Sequence, residues 1–581
     1  MTQVMPPFGS AGWLLAPQEA PPVEQPKDGD GLLDQLLREQ QDLSAVERFA
    51  GLHEHADTPA QAKWYRSLLP AAPPGPGQQY AFEVDLDRCS GCKSCVAACH
   101  SMNGLDEGEA WRDVGLLTGG TSGLPVLQHV TTACHHCLEP ACMIACPVNA
   151  YEKDPLTGIV KHLDDQCFGC QYCTLACPYD VPKYHAAKGI VRKCDMCSSR
   201  LAAGEAPACV QSCPHEAIRI RVVDVRQVEE DAEAAVFLPA APDPQFTLPT
   251  TTFRTSRVFP RNMLPADYFD VAPQHPHLPL VVMLVLTQLS VGAFLAGFAL
   301  RALEPHLPMS AWDSFHAVHA GGALFFGLLA LAASTFHLGR PQYAFRAVLG
   351  IRHSWLSREI VCFGLFAVAA GLYATAVTAS SRWPALRGLA EPLAWAVAIS
   401  GLAGVFCSGM LYVFTRRETW SAAAVGVRFA LTTLLLGVAA CWLSLLLTAC
   451  RNPDASGADL LRHVGPLGAR LIMTLTAAKL IWDGLIFRHL LSRRMTGMRR
   501  SALLMTRELS NVTLARFAAG AWGGLFMPAL LLHQLSDAEP LSLVAIWCVA
   551  ILVAACLIGE LLERYLFFAA ATNPRMPGAV R

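Results

Sequence analysis

Charged residues are scarce in this chain: they make up 16 % of its 581 residues, and the net charge is −2. No basic stretch interleaved with aromatic residues occurs, which argues against nucleic acid as a partner. Lysine is nearly confined to the first 193 residues, because Lys479 is the only lysine after Lys193. Residues 1–50 lack a basic segment followed by an apolar one, and they lack a twin-arginine pair. We therefore expect no export signal.

Apolar residues are distributed unevenly along the sequence. Residues 1–275 are mostly polar, whereas eight apolar segments follow, near 278–300, 312–336, 360–378, 393–414, 422–448, 467–487, 512–533 and 541–562. Each has roughly the 20 residues that a helix needs to cross a hydrocarbon core of about 30 Å. The sequence therefore predicts an all-α, eight-helix transmembrane bundle with both of its ends on the same side.

Composition divides the protein into five expected regions. An N-terminal extension, 1–79, has one amphipathic helical pattern near 32–50 and a Pro/Gly linker. Residues 80–223 contain most of the cysteines, and residues 224–277 are so rich in proline that we expect an extended strap over a partner or the bilayer surface. The membrane anchor, 278–568, and a short tail, 569–581, complete the sequence.

Sixteen of the 22 cysteines occur in four motifs. Their C-x2-C spacings suit metal ligands and would strain a disulfide. The first and third motifs have the C-x2-C-x2-C-x3-C run of bacterial ferredoxins, and proline follows the last cysteine in every motif except the first, where His100 stands. The motifs are Cys89, Cys92, Cys95 and Cys99; Cys134, Cys137, Cys142 and Cys146; Cys167, Cys170, Cys173 and Cys177; and Cys194, Cys197, Cys209 and Cys213.

This spacing has a chemical reason. Three close thiolates bind one corner of a [4Fe–4S] cubane, and the fourth cysteine ligates the other cluster of a pair. Four motifs therefore predict four [4Fe–4S] clusters in an α+β ferredoxin-like domain. The alternative is structural zinc, which is bound by two C-x2-C pairs a dozen or more residues apart. Only the fourth motif resembles that pattern.

The order of the motifs, with the eleven-residue gap in the fourth, resembles the iron–sulfur subunit of the dimethyl-sulfoxide-reductase family of molybdopterin enzymes. The membrane half is similar to that family's anchor subunit, chiefly at FHLGRPQYAFRAVLGIRHSWLSRE (336–359) and GELLERYLFF (559–568). The protein therefore resembles a fusion of two subunits. The segments CHSMNGLDEGEAWRDVGLL, TTACHHC and AYEKDPLTGIVKHLDDQC further resemble quinone-linked sulfite dehydrogenases within that group.

The resemblance implies how the cysteines share the clusters. The first and fourth motifs would pair, and so would the second and third. The implied ligand sets are Cys89, Cys92, Cys95 with Cys213; Cys194, Cys197, Cys209 with Cys99; Cys134, Cys137, Cys142 with Cys177; and Cys167, Cys170, Cys173 with Cys146. Because Cys170 is present where some relatives have an aromatic residue, four cubanes are expected.

Ionisable residues inside membrane spans are costly and are therefore functional candidates. Lys479 lies midway along the sixth apolar segment, with Asp483 one turn later on the same face. The two residues either neutralise each other or serve a proton path or quinone. His337, Arg340 and Glu359 occur where the second segment ends and the third begins. Histidine can both donate to a quinone carbonyl and pass a proton, which makes His337 a quinone candidate.

Histidines at 316, 319 and 533 raise the alternative of a b-type haem. The resembled anchor carries none, and the spans have few well-spaced histidine pairs, so no haem is expected. No molybdopterin-binding region is recognisable, so the resemblance implies a separate catalytic subunit that holds molybdopterin. Quinone is then the exchangeable substrate of this protein.

The distribution of arginine predicts the orientation. Loops on the side of the cysteine-rich domain, with the tail, contain fifteen arginines, and loops on the other side contain five. Positive loops stay in the cytoplasm. We therefore expect an inner-membrane protein whose clusters face the cytoplasm, and this favours sulfite oxidation over outward-facing sulfoxide or N-oxide reduction. A membrane-tethered zinc module and a proton-pumping anchor are the remaining alternatives.

Overall fold

The structure is a computed structural model that describes residues 44–55, 61–302, 304–306, 311–380, 382–451, 455–536 and 542–577, with a few residues between 31 and 37. The protein forms two compact units, Met1–Arg66 and Ser67–Arg581. In the first unit, helices span Ala45–His55 and Ala62–Tyr65. The predicted helix near 32–50 thus overlaps a helix that begins at Ala45, and most of its remainder lies outside the described residues, as do residues 1–30.

The cysteine-rich part of the second unit is built on two small sheets. Strand β1 pairs with β8 in antiparallel fashion and with β9 in parallel, and β2 lies between β3 and β10. Two hairpins, β4–β5 and β6–β7, complete the strands. The strands are β1 Gln78–Asp85, β2 Asp113–Thr121, β3 Leu124–Thr132, β4 Tyr151–Lys153, β5 Val160–His162, β6 Lys183–His185, β7 Ile190–Arg192, β8 Ile218–Asp224, β9 Thr252–Arg254 and β10 Leu264–Pro265.

Short helices follow the cysteine loops. They span Ser94–Asn103, Ala141–Ala145, Tyr172–Ala176, Ser198–Ala202 and Ala208–Gln211. The first and third motifs fold alike, because Gly91 and Lys93 in one loop, and Gly169 and Gln171 in the other, have positive φ angles between 59° and 76°. The repeat in the sequence is therefore also a repeat in the backbone.

The proline-rich segment 224–277 differs from the expected strap. It begins with a helix, Val225–Glu233, and its strands β9 and β10 join the two sheets of the cysteine-rich part itself. Proline excludes long strands but allows two- and three-residue edge strands, which pair here with parts of β1 and β2.

Eight helices among the described residues are long and apolar enough to cross a membrane, which confirms the predicted bundle. We call them spans 1 to 8: Leu278–Arg301, Trp312–Thr335, Trp355–Ala379, Arg387–Val413, Ala422–Arg451, Ala455–Gly484, Ser510–Ser536 and Leu543–Ala569. A 3-10 segment, Leu485–Leu491, extends span 6, a π-helical turn at Ala521–Phe526 interrupts span 7, and a short helix, Gly497–Thr506, lies between those two spans.

Small residues allow the central spans to pack closely. A Cβ on Gly292 of span 1 would lie 1.9 Å from the carbonyl oxygen of Thr433 in span 5, so only glycine fits there. The cysteine-rich part contacts the connections between spans 2 and 3, 4 and 5, and 6 and 7, together with the residues after span 8. Examples are the Arg340 and Arg417 side chains and the Tyr268 hydroxyl, which donates to the Met495 carbonyl at 3.0 Å. We call this side of the anchor the near side.

Candidate iron–sulfur and quinone sites

The sixteen motif cysteines gather into four groups of four, which we call quartets A to D. Cys89, Cys92, Cys95 and Cys213 line one cavity (A), and Cys99 lies close to Cys194, Cys197 and Cys209 (B). Cys134, Cys137, Cys142 and Cys177 line a second cavity (C), and Cys146, Cys167, Cys170 and Cys173 a third (D). These are the sets that the family resemblance implies. That they bind clusters stays a prediction.

The cavities of quartets A, C and D are similar in size, about 300, 360 and 280 Å³. In each, the thiols surround a space instead of meeting at a point. Across the described residues, no three cysteine, histidine or acidic side chains converge closely enough to hold one metal ion.

Backbone amides point at the sulfurs. The amide of Ala150 donates to the Cys146 sulfur at 3.2 Å, and that of Ala217 donates to the Cys213 sulfur at the same distance. Each donor follows its cysteine by four residues, so the two loops are equivalent. Burial nevertheless raises the pKa of Cys146 to about 11, despite its backbone hydrogen bonds. Such a thiol stays protonated at neutral pH unless a metal replaces the proton.

Two buried cations lie between quartets, and sequence reasoning missed both. Arg112, 2 % exposed, is close to Cys95 of quartet A and to Cys99, Cys194 and Cys209 of quartet B. In the sequence Arg112 is a charged residue just before strand β2, and no pattern around it indicates this role.

Lys193, 3 % exposed, joins quartets B and C. Its Nζ lies 3.5 Å from the Cys134 sulfur and 2.8 Å from the Cys194 carbonyl oxygen. Burial opposes its charge, but attraction to the cysteine sulfurs around it in their ionised form outweighs burial and raises the pKa of Lys193. Its position directly before the fourth motif was the available signal. Quartets C and D both take cysteines from the second and third motifs. The four quartets therefore form a series A–B–C–D.

Quartet D lies directly against the anchor. The loop between spans 2 and 3 passes so close to it that a Cβ on Gly339 would lie 2.2 Å from the Gly189 carbonyl oxygen, and one on Gly169 would lie 3.0 Å from Gly339. The amide of Arg340 donates to the Phe168 carbonyl at 3.0 Å. Between Cys170 and Cys173, the Tyr172 hydroxyl donates to the Leu411 carbonyl of span 4 at 3.0 Å.

His337, Arg340 and Glu359 all lie at this contact, but they do different things. One ring nitrogen of His337 lies 3.2 Å from the Cys170 carbonyl oxygen, and burial together with His277 lowers the pKa of His337 to about 4. His337 is therefore neutral at pH 7. Arg340 donates to the carbonyls of Lys188 and Asp164 at 3.0 and 3.1 Å, which makes it a docking residue.

Glu359 is buried in span 3, 3 % exposed, and is close to Tyr172 of the third motif and to Ser408 of span 4. Its Oε1 has no hydrogen-bond partner within the described part of the protein. A buried carboxyl with an unsatisfied oxygen is poised to exchange a proton or to accept a hydrogen bond from a ligand.

Lys479 and Asp483 do not form the pair that the i, i+4 spacing suggested. Lys479 contacts Glu560 and Thr432, and its Nζ is 3.9 Å from Glu563. Asp483 instead accepts from Arg516 of span 7 at 3.1 Å. Lys479 and Asp483 therefore contact side chains of neighbouring helices instead of each other.

The two residues belong to a larger set, which we call the ionic cluster: Arg428, Lys479, Asp483, Arg516, Glu560, Glu563 and Arg564. Arg564, fully buried, donates to Gln288 at 3.1 Å and stacks on Phe429. It is therefore not a loop charge, which corrects the near-side count to fourteen arginines. The overlooked signal was the set of charged residues in the segment GELLER, together with the arginines inside the apolar spans 5 and 7.

Comparisons with known proteins agree with this division of the molecule. A model of the 4Fe–4S dicluster domain matches residues 126–223, and a model of the DMSO reductase anchor subunit (DmsC) matches residues 273–569. An anaerobic dimethyl sulfoxide reductase subunit of Haemophilus influenzae is 35 % identical over 168 residues, which are 27 % of this protein and 82 % of that one.

Two further relatives match similar or somewhat longer stretches of the sequence. The corresponding anaerobic dimethyl sulfoxide reductase subunit of Escherichia coli K12 is 36 % identical over 185 residues, 30 % of this protein and 88 % of that one. The hydrogenase-2 operon protein HybA of Escherichia coli O157:H7 is 34 % identical over 233 residues, 36 % of this protein and 67 % of that one.

Proposed function

This protein belongs to the dimethyl sulfoxide reductase family, as an iron–sulfur electron-transfer unit fused to a DmsC-type membrane anchor, and we propose that it connects a separate molybdopterin catalytic subunit to the quinone pool. The proposal includes four [4Fe–4S] clusters, a quinone site beside quartet D, and sulfite as the substrate that the partner oxidises.

The cysteine quartets support four clusters. Four thiols around a cavity of about 300 Å³, with backbone amides aimed at the sulfurs, fit a cubane better than a single zinc ion. When bound, the clusters supply one-electron carriers. The protein holds them in series, and it places Arg112 and Lys193 between neighbours, where a positive charge favours the reduced state.

The contact of quartet D with the anchor carries the proposal. Cys170 is joined through its carbonyl to His337, and Tyr172 is joined to span 4. Electrons that reach quartet D are thus delivered at the membrane surface of the anchor. Quinone needs two electrons and two protons to become quinol, so a proton-exchanging group must lie beside this quartet.

Glu359 is the best placed proton donor. It is buried beside Tyr172, and it has an unsatisfied carboxyl oxygen. His337 holds the docking loop and is neutral, so its single N–H points to the Cys170 carbonyl oxygen and its other ring nitrogen can accept a hydrogen bond from a quinol hydroxyl. Lys479 and Asp483 lie in the ionic cluster instead, and we assign them to the support of the anchor.

The test uses the complex of this protein with its catalytic partner. Glu359→Gln should slow electron delivery to a quinone analogue by at least the 10²-fold typical of a lost general acid, while an artificial dye is still reduced at the normal rate. Glu391→Gln, an exposed glutamate of span 4, is the matched control. Equal quinone rates in Glu359→Gln and the control would refute this site.

The substrate and orientation need a separate test. The near side keeps fourteen arginines against five, which supports a cytoplasmic cluster domain and therefore sulfite oxidation. Protease added to right-side-out vesicles should leave the cluster domain intact, and sulfite should reduce it through the partner.

A second candidate is sulfoxide or N-oxide reduction driven by quinol, which the names of the two reductase relatives favour. Cleavage of the cluster domain from the periplasmic face, together with reoxidation of the reduced complex by dimethyl sulfoxide, would decide for this candidate.

A further inference from the structure

A cavity on the near side of the anchor encloses about 980 Å³, part of it open to solvent, and takes no part in the proposed electron route. Every residue that lines it lies between 419 and 571, so its walls belong to the anchor and the first residues after it. Trp482, Phe517, Leu566 and Phe567 form apolar walls, and Arg488 and His489 lie at the end of span 6.

The floor of the cavity is formed by the ionic cluster. Arg428, Asp483, Arg516 and Glu563 line it, and all but Arg428 are at least nine-tenths buried. Arg428 is six residues from the near-side end of span 5, as Arg516 is in span 7 and Glu563 in span 8. At 1.5 Å per residue the floor lies about 9 Å below the helix ends, which is the depth of the boundary between headgroups and acyl chains.

This floor has unsatisfied donors and acceptors. The Nε atoms of Arg428 and Arg516, and the Asp483 Oδ1 and Glu563 Oε2 atoms, have no hydrogen-bond partner among the described residues. The ion pairs of Arg428 are long, 3.9 Å to Asp483 and 3.7 Å to Glu563. Buried polar atoms of this kind require water or a ligand that both donates and accepts.

The charge of the ionic cluster selects among such ligands. Four cations face three carboxylates when all are ionised, and Arg488 adds a further positive charge on the cavity wall. An unbalanced positive charge at this depth is costly. A neutral quinone would not compensate it, whereas a phosphate would.

The wall also provides a way out for acyl chains. Leu485 lines the cavity and is 43 % exposed, and Ala424, at the start of span 5, also lines it. A molecule with a polar head in the cavity can therefore extend apolar chains into the bilayer.

We propose that this cavity binds one anionic phospholipid with a hydroxyl-bearing headgroup, of the phosphatidylglycerol type. Its phosphate accepts hydrogen bonds from Arg428 and Arg488, and its hydroxyls donate to Asp483 and Glu563. The lipid thereby seals the junction of spans 5, 6, 7 and 8. This assignment is independent of the proposed quinone site.

Native mass spectrometry of the full complex, exchanged from phosphatidylcholine into mixtures with phosphatidylglycerol, tests the proposal. The wild-type protein should retain one phosphatidylglycerol. Arg428→Gln should weaken retention by about tenfold, the loss expected for one charge-assisted hydrogen bond. Ala424→Phe, which fills the cavity without changing any charge, should also lose the lipid, and it guards against misfolding of the Arg428 variant.

Arg493→Gln is the matched control, because it removes an exposed near-side arginine outside the cavity wall. Retention that falls equally in this control would show only general attraction to the near-side surface and would overturn the proposal. So would unchanged retention in both cavity variants, a bound quinone in place of the lipid, or displacement of the lipid by inorganic phosphate alone.

Discussion

Gly339 offers the sharpest test of how the cluster domain docks on the anchor. An alanine Cβ at this position would lie 2.2 Å from the Gly189 carbonyl oxygen and 2.7 Å from the Gly189 Cα. Ordinary contact begins at about 3.4 Å, so one backbone must retreat by about 1.2 Å. The two Gly189 atoms cannot move aside as the end of a flexible side chain would. Both belong to the backbone, and Gly189 already has a positive φ of 65°.

Overpacking of this kind costs about 1–3 kcal/mol. If that cost falls on the docking contact, the equilibrium constant for docking decreases by about 5- to 150-fold. Gly339→Ala should therefore reduce the rate of quinone reduction by up to that factor, while a dye that takes electrons from the clusters directly is reduced at the normal rate. Stopped-flow mixing of the partner-reduced complex with quinone analogue or dye measures both rates.

Gly364→Ala is the control, since a Cβ at this position in span 3 meets nothing within 4 Å. It should leave both rates unchanged, and replacing a helical glycine should stabilise the anchor by up to about 1 kcal/mol. Equal quinone rates in the two variants would refute the claim that the close glycine contact maintains electron delivery.

Four further predictions concern single side chains. Cys170→Ser should remove or convert one cluster, and iron and sulfide analysis with electron paramagnetic resonance should find three cubanes intact; loss of all four would contradict modular quartets. Lys193→Met should lower the reduction potentials of the two clusters beside it, measured by redox titration, because a buried positive charge is lost. Docking should weaken as the pH falls below about 6.5. The pKa of His337 is about 4 in the docked state, so an undocked His337 takes up a proton at a higher pH than a docked one. A ratio of dye-reduction rate to quinone-reduction rate that stays constant from pH 7 to pH 5 would exclude this. Lys479→Met should remove one of the two cations that pair with Glu560, leaving Arg516, and destabilise the anchor by about 1–3 kcal/mol in thermal unfolding; an unchanged unfolding temperature would show that Arg516 alone compensates Glu560.

The sequence alone determined the architecture. Cysteine spacing identifies metal ligands because four thiolates must reach one small group, and a 20-residue apolar run has few uses other than crossing a bilayer. The eight spans were therefore predictable, and so was the division of the protein into an iron–sulfur part and an anchor, which the family comparisons support.

The tertiary structure decided which residues meet. Sequence spacing paired Lys479 with Asp483, but in the bundle Lys479 finds Glu560, more than eighty residues away on a neighbouring helix. Helical periodicity states which face a residue occupies and does not state which helix lies against that face. For the same reason Arg564 counted as a loop charge, although it is buried against Gln288.

The cations between the cysteine quartets show the same limit. Arg112 lies beyond the end of the helix that contains Cys99, and only the packing of the segment that leads into β2 brings it between two quartets. The proline-rich segment joined the sheets because β1 and β2 had unpaired edges that no local pattern in residues 252–265 reveals. The spacing of residues indicates the local chemistry, such as metal binding, whereas the partner of each buried charge depends on contacts between segments that are distant in the sequence.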